Sequence, residues 1–329
     1  MRKLVAVALS VLLVAGCGSE SAKESQQPSW TDTDVTFDAD GLTIHGTYRH
    51  QTSTGPAALL ISESGPTDRN GDNKVVGPVG NMRQLAETLS DKGVASLRYD
   101  KIGTGATKLG PYQKKPADVV SGVYTSGARA ALRFLAGQPD TDAAKLSIYA
   151  VGEGAVHAMT LAGAGHPKVH SLALFQPLSG RYLDIITNRV RSGATPEVLT
   201  AWLGAVEEIR TKGTVPANLP EGLSAIVNKD NLNAIIEADK IDPVQLAAAL
   251  PDGMPVMLTC SDSDSQASCA IERPLIDALR HTALTLVELK GVNHVLRDDP
   301  TDSIANYGKP GSLSPQVVDA VVKFVGADG

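Results

Sequence analysis

Leu146-Ser147-Ile148-Tyr149-Ala150-Val151-Gly152-Glu153-Gly154-Ala155 decides the fold. Its first six residues form a largely apolar run that reads as a buried strand. Two glycines one residue apart then interrupt the run, and an alanine-rich segment from about Gly154 to Ala164 reads as a helix. A strand that turns sharply into a helix is the repeating unit of proteins with helices packed on a parallel sheet.

The same alternation extends in both directions. Asp34–Asp40 and Leu42–His50 read as a hairpin turned at Asp40-Gly41. Ala57–Ile61 is a wholly apolar strand, Asn81–Lys92 a helix stopped by Gly93, Val94–Tyr99 a strand, and Asp118–Leu135 a long helix. Ser171–Phe175, Val256–Thr259 and Thr285–Leu289 complete the strands, and Pro315–Val325 closes the chain as a helix. Residues 181–250 offer helical patterns and no strand. They read as a helical cap inserted into a core made of residues 34–180 and 251–329. The cap charges Glu207, Glu208, Arg210 and Lys212 read as a solvated helix face.

The N-terminus reads as a targeting segment. Arg2 and Lys3 precede an apolar run too short to span a bilayer comfortably, which suits a signal peptide. It ends in Val14-Ala15-Gly16-Cys17, which resembles the lipobox of bacterial lipoproteins. The resemblance implies cleavage after residue 16 and acylation of Cys17, with the membrane as a partner through that lipid. Residues 17–33 read as a polar tether. Export would place Cys260 and Cys269 in an oxidising compartment, where they are expected to close a disulfide. Losing two basic residues with the leader takes the formal net charge from −6 to −8. That balance argues against nucleic acid as a partner. No cofactor or metal pattern is present: Pro167 interrupts His166 and His170, and His157 reads as a core histidine.

Four segments resemble the α/β-hydrolase superfamily, in particular bacterial esterases and serine-aminopeptidase-like hydrolases. Ser62-Glu63-Ser64-Gly65-Pro66-Thr67-Asp68-Arg69-Asn70-Gly71 is similar to the loop Gly-Ser-Gly-Pro-x-Asp-Arg-x-Gly, whose backbone amides help form the oxyanion hole. Here Glu63 stands at the first glycine, and a carboxylate beside a developing oxyanion has the wrong sign. Arg98-Tyr99-Asp100-Lys101-Ile102-Gly103-Thr104-Gly105 is similar to the turn Arg-x-Asp-x-Arg-Gly-x-Gly. The opening stretch falls where the family has its nucleophile elbow, Gly-His-Ser-Glu-Gly-Gly, so Gly152 takes the place of the serine and Glu153 follows it. Val256 to Gln266 is similar to the strand that carries the acid, which puts it at Asp264 rather than Asp262. Gly291-Val292-Asn293-His294 matches the loop of the catalytic histidine.

The resemblance therefore implies an α/β-hydrolase fold with a His294–Asp264 dyad, an oxyanion region at Glu63, Ser64, Gly65 and Glu153, and no hydroxyl at Gly152. Such a dyad has nothing to activate. The expected function is a non-catalytic binding protein of the cell envelope, taking a small molecule or a protein in the cleft under its cap. Two alternatives stay open. One is a hydrolase using water in the void at Gly152, Ser64 or Ser62 as nucleophile, or Glu63 or Glu153 as general base. The other is a structural envelope protein.

Overall fold

The computed structural model describes residues 30–328, so the leader, Cys17 and most of the tether lie outside the described residues. Eight strands form one sheet in the order β1-β2-β4-β3-β5-β6-β7-β8. β1 (Thr31–Ala39) and β2 (Leu42–His50) make an antiparallel hairpin, and β2 pairs antiparallel with β4 (Ala95–Tyr99). β3 (Gly55–Ile61), β5 (Thr141–Val151), β6 (Ser171–Phe175), β7 (Pro255–Ser261) and β8 (Ala283–Leu289) continue the sheet, all in parallel pairings. The hairpin turns on Asp40 and Gly41, both at positive φ, the backbone that a two-residue connection between twisted strands requires.

The central strands are apolar throughout because both of their faces are covered. In β3, Ala57, Leu59 and Ile61 face one helical layer while Ala58 and Leu60 face the other. The first layer contains α2 (Ser121–Ala136) and α3 (Gly154–Ala164). The second contains α1 (Asn81–Ser90) and the last helix of the chain, Pro315–Asp328, which packs Val317, Val321 and Phe324.

Between β6 and β7 the chain forms α4 (Tyr182–Gly193), α5 (Pro196–Lys212), α6 (Glu221–Ile226), α7 (Leu232–Asp239) and α8 (Pro243–Ala248). Much of this segment has its own apolar cluster around Leu183, Trp202, Val206 and Leu223. Trp202 is fully buried and donates its indole N–H to the Thr187 hydroxyl at 2.8 Å. A buried carboxylate organises the cluster. Asp239 accepts from Arg181 (2.8 Å), from the Leu183 amide (2.9 Å) and from Arg210 (2.9 and 3.0 Å). Arg210 is thus a structural cation of the cap and not one of its solvated charges. It turns inward because burying Asp239 without a cation would cost several kcal/mol, on the order of 3–5.

Three elements start three or more residues from where the sequence reading placed them. β1 starts at Thr31, inside the expected tether. α2 starts at Ser121, because Pro116–Asp118 form a separate turn of 3-10 helix. β5 starts at Thr141 rather than Leu146, and a register shift between Gly55 and Ala57 of β3 accompanies the exposed residues Ala143, Ala144 and Lys145. The short helices α9 (Arg273–Ala278) and α10 (Ile304–Tyr307) were not expected, since six and four residues carry too little periodicity to read. The helix Pro315–Asp328 is α11. Cys260 and Cys269 form a disulfide, across the loop that carries Asp264.

Candidate active site and its carboxylate

The carboxyl ends of the parallel strands bring the expected residues together, where open α/β sheets place their ligand sites. Glu63 follows β3, Gly152 ends the turn after β5, Asp264 follows β7 and His294 follows β8. Gly152 has φ +54°, a left-handed conformation, and its amide donates to the Phe175 carbonyl at 3.0 Å. Gly154 allows the turn to pack against β3. A β-carbon there would lie 2.7 Å from the Ile61 carbonyl oxygen. The sharp strand-turn-helix backbone is therefore present, and its apex bears no side chain.

The expected void above Gly152 is not empty. The Glu63 carboxylate fills it: a β-carbon built on Gly152 would lie 1.4 Å from Glu63 Oε2. Glu63 Oε1 accepts the Ser64 amide at 2.5 Å and the Glu153 amide at 3.2 Å. Oε2 pairs with His294 Nε2 at 3.0 Å. These are the amides that the resemblance assigns to an oxyanion hole, and they hold the protein's own carboxylate. Glu63 thus sits among the donors and not beside them, and its negative charge is matched by them. Gly65 stands outside this contact and is exposed, also at positive φ.

His294 is bracketed by carboxylates. Its Nδ1 lies 2.7 Å from Asp264 Oδ2, and Asp264 Oδ1 accepts the amides of Gln266 (2.7 Å) and Ala267 (3.0 Å). Burial disfavours charge on His294, but the bonds and charges of Asp264 and Glu63 outweigh it and push the imidazole up to about 10. Burial likewise opposes charge on Glu63. The bond to His294, its positive charge and the two amides overcome that and hold the carboxyl at about 2. These causes favour an imidazolium paired with the Glu63 carboxylate at neutral pH. An imidazolium has no lone pair with which to take a proton, so it cannot serve as a general base.

The other sequence candidates are occupied or displaced. The buried Ser62 hydroxyl donates to the Thr67 carbonyl at 3.3 Å. Ser64 is exposed. Asp262 accepts the Gly291 amide at 2.8 Å and does not reach His294. Sequence reasoning missed Asp302, which ties the acid loop to the histidine loop. It accepts the His294 amide (3.0 Å) and the Tyr307 hydroxyl (2.6 Å) on Oδ1, and the Ser265 amide (3.1 Å) and hydroxyl (2.9 Å) on Oδ2.

Two cavities open between the core and the helices that follow β6. One, of about 300 Å³, is lined by Glu63, His294, Tyr182, Ile186 and Arg189. The other, of about 400 Å³, is lined by Lys101, Glu153, His157, Tyr124 and residues of α7. Ser64, Glu153 and Tyr182 border both. Each has the size of a small-molecule site.

The sequence matches no protein-family model and no curated protein, whereas many solved structures share its architecture. The structure of DcsB in complex with its substrate analogue is similar with a TM-score of 0.60 at 16% identity, over 91% of this chain and 100% of that one. Est1E from Butyrivibrio proteoclasticus is similar at 0.57 and 15%, over 90% of this chain and 98% of its own. Proline iminopeptidase from Mycobacterium smegmatis is similar at 0.57 and 13%, with the same coverage of 90% and 98%. Together with an eight-stranded, mostly parallel sheet flanked by helices, these likenesses show that the chain has the α/β-hydrolase fold.

Proposed function

We propose that this chain is an exported, lipid-anchored binding protein on an α/β-hydrolase fold, in which Gly152 replaces the serine nucleophile. It takes a ligand beneath its helical cap and hydrolyses no ester by the usual covalent route. One observation carries this reading: the Glu63 carboxylate fills both the space above Gly152 and the pair of amides that a reacting oxygen would need. Loss of a serine nucleophile alone lowers turnover by about 10⁶-fold in the best-measured case. Here the oxyanion donors and the base are engaged as well. The two cavities under the cap support retention of ligand binding. In this reading the chain attaches to the membrane through the lipid on Cys17; among the described residues no helix is long and apolar enough to cross a membrane.

The test is hydrolysis of a short-chain activated ester by the full chain and by its His294→Ala variant. The expected result is the same background rate in both. Turnover by the natural chain that disappears in His294→Ala overturns the reading, because it would require a working base at a site that this geometry holds closed.

A further inference from the structure

The larger cavity carries a charge arrangement that the Glu63 centre does not use. Lys101 and Glu153 both line it, yet they form no ion pair within 4 Å of each other among the described residues. Lys101 is buried and donates one N–H to the Glu63 carbonyl. Its other two protons meet no protein acceptor among the described residues. The Glu153 side chain accepts no hydrogen bond among the described residues; its backbone amide donates to Glu63 and its carbonyl accepts the Val156 amide. A buried cation and a half-buried anion that face one cavity without meeting leave a gap that a ligand can bridge. Charges withdrawn from water are costly until each has an opposite charge within reach.

The rest of the wall sorts the two ends. Tyr124 and Tyr182 flank the Glu153 end, near enough for its charge to raise both phenols, though burial is the larger cause in each. A carboxylate flanked by aromatic faces suits an ammonium group. His157, beside the Lys101 end, is buried and bonded through Nδ1 to the Thr125 hydroxyl at 2.9 Å. Burial, aided by Lys101, holds it down at about 4, so it offers hydrogen bonding there without charge. Val119, Ala234 and Ile235 supply apolar surface.

We propose that this cavity binds a small zwitterion of the α-amino-acid class, its carboxylate on Lys101, its ammonium on Glu153 and an apolar side chain against α7. Burial is the main cause that lowers Lys101 to about 8 and raises Glu153, against the help each receives from the other. The inference rests on the reading that the cleft binds and does not hydrolyse, and names the ligand for it.

The experiment is calorimetric titration of the full chain with L-leucine, with isoamylamine (ammonium only) and with 4-methylpentanoate (carboxylate only). Leucine is expected to bind one to one, and each single-charge analogue at least about tenfold more weakly. Glu153→Gln should lose the preference for leucine over 4-methylpentanoate. Lys101→Met should lose the preference for leucine over isoamylamine. Both leave the Ser64 and Glu153 amides on the Glu63 carboxylate in place, and Lys101→Met removes in addition the bond from Lys101 to the Glu63 carbonyl. The proposal is overturned if alanine, valine, leucine and phenylalanine all give no heat up to about 10 mM. It is equally overturned if a single-charge analogue binds unmodified protein as well as leucine does. Failure of the non-catalytic reading would show in the ester assay and not in this titration.

Discussion

Glu63 Oε2 lies 1.4 Å from the place a β-carbon would take on Gly152, so these two residues, from separate strand ends, share one volume. Restoring serine at 152 alone must expel a carboxylate held by two amides and an imidazolium.

Gly152→Ser is therefore expected to remain inactive toward an activated ester. Glu63→Gly should also be inactive, for lack of a hydroxyl. The double variant should exceed both single variants by at least about 10²-fold, a conservative part of what a nucleophile contributes, and should lose that gain on His294→Ala. Initial rates of ester hydrolysis for the four proteins check this.

The imidazole of His294 should stay protonated well above neutrality. Its pKa is raised by Asp264 and Glu63 to about 10 against burial, so its ¹⁵N signals should show imidazolium through pH 8. In Glu63→Gln one of the two anions is gone, and the midpoint should move down. The linkage has a definite sign. A raised histidine adds stability that is complete below about 6.5, the unfolded value, and lost as pH rises through 10.

Glu272 supplies a second pH effect. It is fully buried, and neither carboxyl oxygen has a hydrogen-bond partner among the described residues. Burial pushes it up to about 9; Ser179 nearby opposes this, Asp264 adds repulsion and His294 offsets part of it. The folded state then binds a proton that the unfolded state releases above about 4.5, so stability falls as pH rises from there toward 9. Glu272→Met should raise the melting temperature at pH 8 and have a smaller effect at pH 5. The difference is at most about 1.4 kcal/mol per pH unit in that window. Thermal melts at the two pH values measure it.

Cys260 and Cys269 bracket the loop that presents Asp264 to His294. Replacing both by serine should cost on the order of 2–3 kcal/mol of stability, measured by urea denaturation against the oxidised protein.

Acylation of Cys17 has its own readout. In a bacterium fed a clickable fatty acid, the natural chain should incorporate label and sediment with membranes. Cys17→Ala should do neither.

The fold was legible because its buried strands are apolar on both faces. Ala57–Ile61, Ser171–Phe175 and the run ending at Gly152 read directly from composition. The starts of β5 and β1 were not, since residues 142–145 and 31–33 are mostly exposed and lack an apolar run; residues 31–33 owe their strand state to pairing with β2. His294 and Asp264 were placed in contact by resemblance alone. The role of Glu63 was not read, although the signal existed: a large residue where the pattern has glycine, matched by glycine where it has serine. Reading the two as one exchange requires knowing that positions 63 and 152, far apart in sequence, meet in space. Asp302 gave no signal, standing among Asp298, Asp299 and Thr301 with nothing in spacing to single it out.

The shared volume at Gly152 also makes the two positions interdependent. With its carboxylate on the Ser64 and Glu153 amides, Glu63 leaves no room for a side chain at 152, so a side chain there requires the carboxylate to leave those amides. What either position can hold therefore depends on the other, and substitutions at 63 and 152 should not add.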